Sequence, residues 1–380
     1  MVIFTVAYDL KLMTNQSPPL LRWDIFCRVI DNLGDAGVCL RLAADLASRG
    51  LQVCLYIDQP AVLKQLMHNA TYSKSLSVRL WPEDTESFSA SDVADVVIEA
   101  FACDPPIAYI RAMAQATKPP AWINLEYLSA EAWVEESHGL PSPHPRYALT
   151  KYFFFPGFTP GTGGLLREPG LIDRLETAHI ENKDTTFRIF LFGYPQPKVA
   201  EWLDRLAAQA EPTLLAIVPC PAQQQVDDWL ATHTDTNQLT IAHQPFVPQA
   251  KFDALLASYD FLFVRGEDSF VRAQWAAKPL VWQIYPQEEA IHLVKLKAFY
   301  DHYLDQGVLT AKQRSIYWQF VSAWNNGNAS SNDAVLASTW PKLVEIYPLL
   351  LENARVWRNQ LLKQRDLVSQ LRDFVGHLVK

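Results

Sequence analysis

Apolar residues come in short continuous runs, separated by stretches in which they recur every three or four positions. Trp23-Asp24-Ile25-Phe26-Cys27-Arg28-Val29-Ile30 reads as a mostly buried strand. After the turn Asp31-Asn32-Leu33-Gly34-Asp35, Val38, Leu40, Leu42, Ala43, Leu46 and Ala47 follow at helical spacing. Gly50 fits the position that stops such a helix in the left-handed conformation. Residues 53–57 form a second strand. Strand, turn, helix and strand in so short a stretch make a βαβ unit, which builds parallel sheets.

The alternation continues with a helix over 61–68, a strand at 96–98, a helix over 107–115 and a strand at 122–125. It breaks at 137–170, where Pro143, Pro145, Pro156, Pro160 and Gly161-Thr162-Gly163-Gly164 indicate loops and a domain boundary. The glycine run lacks the Lys-Ser/Thr ending of a P-loop and reads as a hinge. Strands then alternate with helices again: strands at 187–192, 214–218, 239–242, 261–264 and 280–284, helices at 198–208, 223–231, 252–258 and about 269–276. From Glu289 onward the pattern is helical, interrupted at Asn325-Asn326-Gly327-Asn328. The fold class is therefore α/β, two doubly wound domains facing across a cleft, with ligands at the carboxyl ends of strands. Residues 1–20 read as a tail, 21–170 as the first domain and 171–355 as the second. A C-terminal helix in 356–380 is free to return to the first domain.

Composition changes this picture only at its edges. At 380 residues, 49% hydrophobic and 19% charged, the chain can bury two cores. Its formal net charge of -8 disfavours nucleic acid and anionic membrane as partners. No apolar stretch reaches spanning length, and the first residues lack the basic region and cleavage site of a signal peptide. Five cysteines without CxxC spacing fit a reducing cytoplasm. None of the nine histidines has metal-ligand spacing, so no metal and no resident cofactor are expected.

Two turns carry candidate chemistry. Arg265-Gly266-Glu267-Asp268-Ser269 follows an apolar strand and opens a helix. Ser269 can cap that helix, its free amides favour phosphate, and Arg265 offers a planar fork to the same oxygens. The plain structural reading makes Glu267 or Asp268 a helix-start charge paired with Arg265. Tyr194, Phe246 and Phe252 lie near neighbouring strand ends and can form a base-stacking wall, with Tyr285 after the next strand, although each taken singly reads as core. In the first domain Asp31 and Asp35 flank Asn32-Leu33-Gly34, with Gly34 permitting a tight or left-handed turn. Here the plain reading is an N-cap by Asp35 or Asn32, and the chemical one a base with its orienting partner.

The stretch from Trp23 to Asp35 resembles the opening of the bacterial EarP family. So do Asn124-Leu125-Glu126-Tyr127-Leu128-Ser129, the stretch from Phe263 to Gln274, and Trp282-Gln283-Ile284-Tyr285-Pro286-Gln287. The resemblance runs from about Leu21 to the C-terminus. It implies a GT-B glycosyltransferase that transfers rhamnose from dTDP-β-L-rhamnose, with inversion and without metal, to an arginine of elongation factor P. That modification would activate the factor for ribosomes stalled at polyproline. Asp35 then matches the general base, Asp31 a second carboxylate and Glu267 a residue needed near the donor diphosphate. Asn32, Gly34, Tyr194, Phe246, Gln249, Phe252, Arg265, Asp268, Ser269 and Tyr285 match donor-binding positions. The alternatives are a GT-B enzyme with another nucleotide-sugar or acceptor, and a non-catalytic protein that binds elongation factor P.

Overall fold

The structure, a computed structural model, describes residues 21–379 apart from 32, 69, 84, 178–184, 234, 287–290 and 327–334. The expected tail, Asn32 and Gln287 lie outside the described residues. The first half contains β1 (Arg22–Cys27), α1 (Leu33–Ser48), β2 (Gln52–Ile57), α2 (Pro60–Met67), β3 (Leu76–Leu80), β4 (Val96–Ala100) and α3 (Ile107–Gln115). It continues with β5 (Ala121–Leu125), α4 (Trp133–Ser137), β6 (Pro141–Pro143) and β7 (Thr150–Phe154). These strands form one sheet in the order β3-β2-β1-β4-β5-β7-β6, with β6 antiparallel to β7.

The second half contains α5 (Leu171–Thr177), β8 (Phe187–Leu191), α6 (Val199–Ala207), β9 (Thr213–Ile217), α7 (Gln223–Thr232) and β10 (Leu239–His243). Next come α8 (Gln249–Ala257), β11 (Phe261–Arg265), α9 (Asp268–Trp275) and β12 (Leu280–Gln283). Its parallel sheet has the order β10-β9-β8-β11-β12. The helices α10 (Ile291–Leu304), α11 (Ala311–Asn325), α12 (Val335–Glu345), α13 (Tyr347–Leu362) and α14 (Leu367–Leu378) end the chain.

The central strands are apolar because helices cover both faces of each sheet. Every residue of β4, β5 and β11 is buried. The edge strand β3 is mostly exposed, which removes the apolar run that would have revealed it in sequence. Residues 137–170, read as loop, in fact contain β6 and β7. Pro141 and Pro143 are tolerated there because β6 is an edge strand, where a missing N–H need not break a ladder bond. Gly50 does adopt the left-handed conformation after α1, with φ +86°.

Each sheet has its own core, and the chain crosses between them. Leu367, Val368, Leu371 and Val375 of α14 join the first core, while Leu128, Phe158 and Leu165 join the second. Arg49 pins α1 to the start of α14 through Asp366 at 2.7 Å. In both sheets the strand order reverses beside the first strand of the unit, between β1 and β4 and between β8 and β11. The crevice at such a reversal opens at the carboxyl ends, so the turns after β1 and β11 stand where ligands bind. Among the described residues, no helix is long and apolar enough to cross a membrane.

Candidate active site

Asp35 lies in the first turn of α1 and is 3% exposed. One of its oxygens accepts the backbone N–H groups of Ile30 at 2.8 Å and Asp31 at 2.9 Å. It therefore braces the turn behind it, which corrects capping by Asp35: its carboxylate serves the loop amides before the helix. Gly34 donates its N–H to the Asp31 carbonyl at 2.6 Å. A Cβ on Gly34 would stand 2.7 Å from the Asp31 carboxylate. Close approach is thus the reason for this glycine, since its φ is not left-handed. Burial pushes both carboxyls above the usual aspartate value, against the lowering by Tyr194 at Asp31 and by loop amides at Asp35.

The opposite wall is the turn between β11 and α9. Gly266 has φ +61°, and a Cβ there would stand 2.9 Å from the Asp31 carboxylate. The two turns therefore touch across the cleft. Arg265 lies over the rings of Phe192 and Tyr194, at 4.9 and 4.7 Å from their centroids. Tyr194 donates its hydroxyl to Asp31 at 2.8 Å.

The Arg265 pairing considered from sequence is not formed. Glu267 instead accepts from Leu128 N–H at 3.1 Å and pairs with Lys295 at 3.2 Å. Asp268 pairs with Arg41 of α1 at 2.5 Å. Burial raises the Glu267 carboxyl, an effect that Lys295 and the Leu128 amide partly offset. Ser269 does not cap α9 either: its hydroxyl donates back to the Arg265 carbonyl, because Glu267 already occupies the cap position.

Asp31, Gly34, Phe246, Gln249, Phe252, Arg265, Asp268 and Ser269 line one open cavity, which Phe192 also lines. Gln249 donates to the Gly37 carbonyl at 2.8 Å and to Asp268 at 3.2 Å, bridging the two halves. Tyr194 borders this space through Arg265 and Asp31. Tyr285 is exposed and meets Tyr194 edge-on at 5.7 Å. Asp35 and Glu267 lie outside that cavity lining, towards Tyr127.

Sequence reasoning missed the buried ion network behind the cavity. Arg272 pairs with Glu168 and Asp253, both at 2.6 Å, and Arg41 reaches Glu168 at 3.3 Å. The available signal was an arginine inside the apolar run of α1, since a charge on a buried face needs partners. Among the described residues, no group of three or more His, Cys, Asp or Glu is placed to hold a metal ion.

The profile of the family described as Elongation-Factor P (EF-P) rhamnosyltransferase EarP matches residues 23–376. The chain belongs to the EarP family. The protein-arginine rhamnosyltransferase of Pseudomonas putida is 40% identical, with 93% of this chain and 98% of that protein covered. Its Pseudomonas aeruginosa counterpart is 38% identical at the same coverage. A solved structure concerned with EarP-mediated arginine glycosylation of translation elongation factor EF-P superposes with a TM-score of 0.65. It is 28% identical, covering 94% of this chain and 99% of that one. Acinetobacter baumannii MurG shares the fold at 14% identity, a TM-score of 0.54 and coverage of 94% and 100%. The fold is GT-B, and the chain is a glycosyltransferase of the EarP family.

Proposed function

We propose that this enzyme moves L-rhamnose from dTDP-β-L-rhamnose, with inversion, to an arginine side chain of elongation factor P. The observation that carries the reading is Arg265. Its guanidinium has no carboxylate within ion-pair distance among the described residues, yet it lines the same cavity as Asp31 of the opposite domain. A buried arginine with no close ion pair, its charge felt only at longer range by Asp31, suits a diphosphate, which supplies direct partners. The relatives' names supply the sugar and the amino acid. Phe246 and Phe252 offer the base an apolar wall, and Gln249, Asp268 and Ser269 hold polar positions beside it.

The chemistry must contend with a guanidinium whose pKa exceeds about 12. Full deprotonation at pH 7 costs roughly 7 kcal/mol at about 1.36 per unit. An aspartate cannot remove that proton beforehand, even one raised by burial. Asp35 therefore orients the acceptor, with Asp31 supporting the turn. A guanidinium nitrogen bonds to the anomeric carbon as the bond from that carbon to the diphosphate breaks. The nitrogen proton passes late to Asp35. One displacement inverts the carbon, and Arg265 with the opening amides of α9 takes up the charge on the departing dTDP.

The test mixes the protein, dTDP-β-L-rhamnose and unmodified elongation factor P, with and without EDTA, and reads the intact mass of the acceptor. One added deoxyhexose, mapped to an arginine, is expected in both arms. No mass change at saturating donor overturns the reading. Transfer only from another nucleotide-sugar would reassign the donor.

A further inference from the structure

The donor turn stands at the carboxyl end of β11, and the opposite, amino end of the same sheet carries a second charged cavity. Lys278, Arg355 and Arg358 line it, with Glu176 as their acidic neighbour. Lys278 leads into β12, while Arg355 and Arg358 both belong to α13. Residues three apart on a helix share a face, so the two guanidinium groups reach the same space.

These cations are poorly partnered. Lys278 is 8% exposed, and among the described residues its ammonium makes no hydrogen bond and no ion pair. Asp260 acts on it only at longer range. That carboxylate is already taken by the Arg188 N–H at 2.9 Å and the Tyr347 hydroxyl at 3.5 Å. Burial first, and then the positive charge of Arg355, hold Lys278 below the ordinary lysine value, against the opposing pull of Asp260. Arg358 has a buried Nε without a partner and meets Glu176 at only 3.7 Å. The Glu176 side chain is largely exposed, so water screens that pair. Arg355 makes no ion pair among the described residues. Three positive charges thus face one screened carboxylate.

The ordinary account of a cation here is a helix C-terminus, whose carbonyls attract positive charge. Both α8 and α9 end beside the cavity, which Ala257 and Ala276 line. Lys278, however, donates to none of those carbonyls. Ala277 instead turns the chain out of α9 with φ +53°, and Lys278 lines the cavity. Ala257, Ala276 and Ala277 contribute only methyl groups to the lining, which leaves space between the cations.

We propose that this cavity binds a phosphoryl dianion, free or as the head of a small phosphate ester, at a site separate from the donor cleft. Such a group brings three acceptor oxygens and nearly two negative charges, where a carboxylate brings two oxygens and one charge. Two guanidinium forks and an ammonium around one space match the phosphoryl group. The ligand supplies Lys278 and Arg358 with the partners that the fold withholds.

Two measurements test it. The full chain is titrated calorimetrically with inorganic phosphate, glycerol 3-phosphate and acetate at constant ionic strength, at about pH 8, where the phosphoryl group is a dianion. Both phosphates should bind and acetate should not, and the tighter of the two shows whether the ligand is free phosphate or an ester. Lys278→Met and Arg358→Met should each weaken phosphate by about tenfold or more, whereas Arg265→Met, in the donor cleft, should leave it unchanged. No phosphate binding, or acetate binding as tightly as phosphate, would overturn the proposal. So would a loss at Arg265→Met with none at Lys278→Met, which would put the phosphate in the donor cleft. The second measurement uses the unaltered chain and so survives a variant that fails to fold. Phosphate should slow acetylation of Lys278 by acetic anhydride, read by mass spectrometry, and spare the exposed Lys64 from any such effect. Equal protection of both lysines, or of neither, would overturn the proposal.

Discussion

The hydroxyl of Tyr194 donates to Asp31 at 2.8 Å and joins the end of β8 to the turn after β1. The same ring lies under Arg265, 4.7 Å from its guanidinium carbon. One aromatic side chain thus links a first-domain carboxylate to the cation proposed to hold the donor. Site geometry depends on the cleft being held together, and neither domain carries it alone.

Tyr194→Phe tests that link. It removes a hydrogen bond to a charged group, worth about 1.5–3 kcal/mol, and leaves the ring beneath Arg265. A loss of roughly tenfold or more in kcat/KM is expected, with Tm lowered by a few degrees. Unaltered kinetics would show that the bond does not matter for turnover.

Asp35→Asn keeps an oxygen for the Ile30 and Asp31 amides, so the turn should fold. Transfer should fall about 10²–10⁴-fold while donor Kd, by calorimetry, stays the same. Burial raises the Asp35 carboxyl above its ordinary value of 3.8. The acid limb of the kcat/KM profile should therefore lie above the ordinary aspartate range, because the ionised form is required.

Arg265 and Arg272 should respond in opposite ways. Arg265→Met breaks no close ion pair and takes only a more distant positive charge from Asp31, so donor affinity should drop by roughly 10- to 100-fold with a smaller loss of stability than at Arg272. Arg272→Met leaves Glu168 and Asp253 with only Arg41, at 3.3 and 3.9 Å, and should destabilise by roughly 3 kcal/mol in urea unfolding. Equal effects on Tm would contradict this division.

Asp24 should limit stability at neutral pH. Burial pushes its carboxyl up to about 6, against the lowering by Tyr109, Arg22 and Arg79. The folded state holds this proton more tightly than the unfolded chain, so stability is lost as pH rises from the unfolded value of 3.8 through about 6. Asp24→Asn can still accept from Tyr109 and should raise stability above pH 6 by up to about 3 kcal/mol, at about 1.36 per unit. Below pH 4 the gain should vanish. Melting curves at pH 4 and pH 8 decide it.

Gly34→Ala places a methyl 2.7 Å from the Asp31 carboxylate, so that side chain must shift and loosen its bond to Tyr194. The expected outcome resembles Tyr194→Phe: reduced turnover with Tm lowered by a few degrees, read by transfer assay and thermal melt.

Much of the fold was legible because buried parallel strands need continuous apolar runs and their covering helices need a 3.6-residue stripe. Elements that escaped lacked one or the other. β3 is mostly exposed and β6 is a three-residue edge strand with two prolines. The site was legible only as two turns after apolar strands. Their residues were recognisable by type and place, but their partners were not. Glu267 and Asp268 look equally ready to pair with Arg265, and neither does.

By itself the sequence determined the βαβ order, both chemical turns and the family resemblance, all of which are encoded over short distances along the chain. Tertiary structure decided which charges meet. Arg41 finds Asp268, Lys295 finds Glu267, Tyr194 finds Asp31, and Arg265 is left between two rings. The physical reason is that Coulomb and hydrogen-bond energies depend on separation and burial, and these contacts join residues far apart in the chain. No periodicity records the distance between two domains, so the cleft could be read only once it was closed.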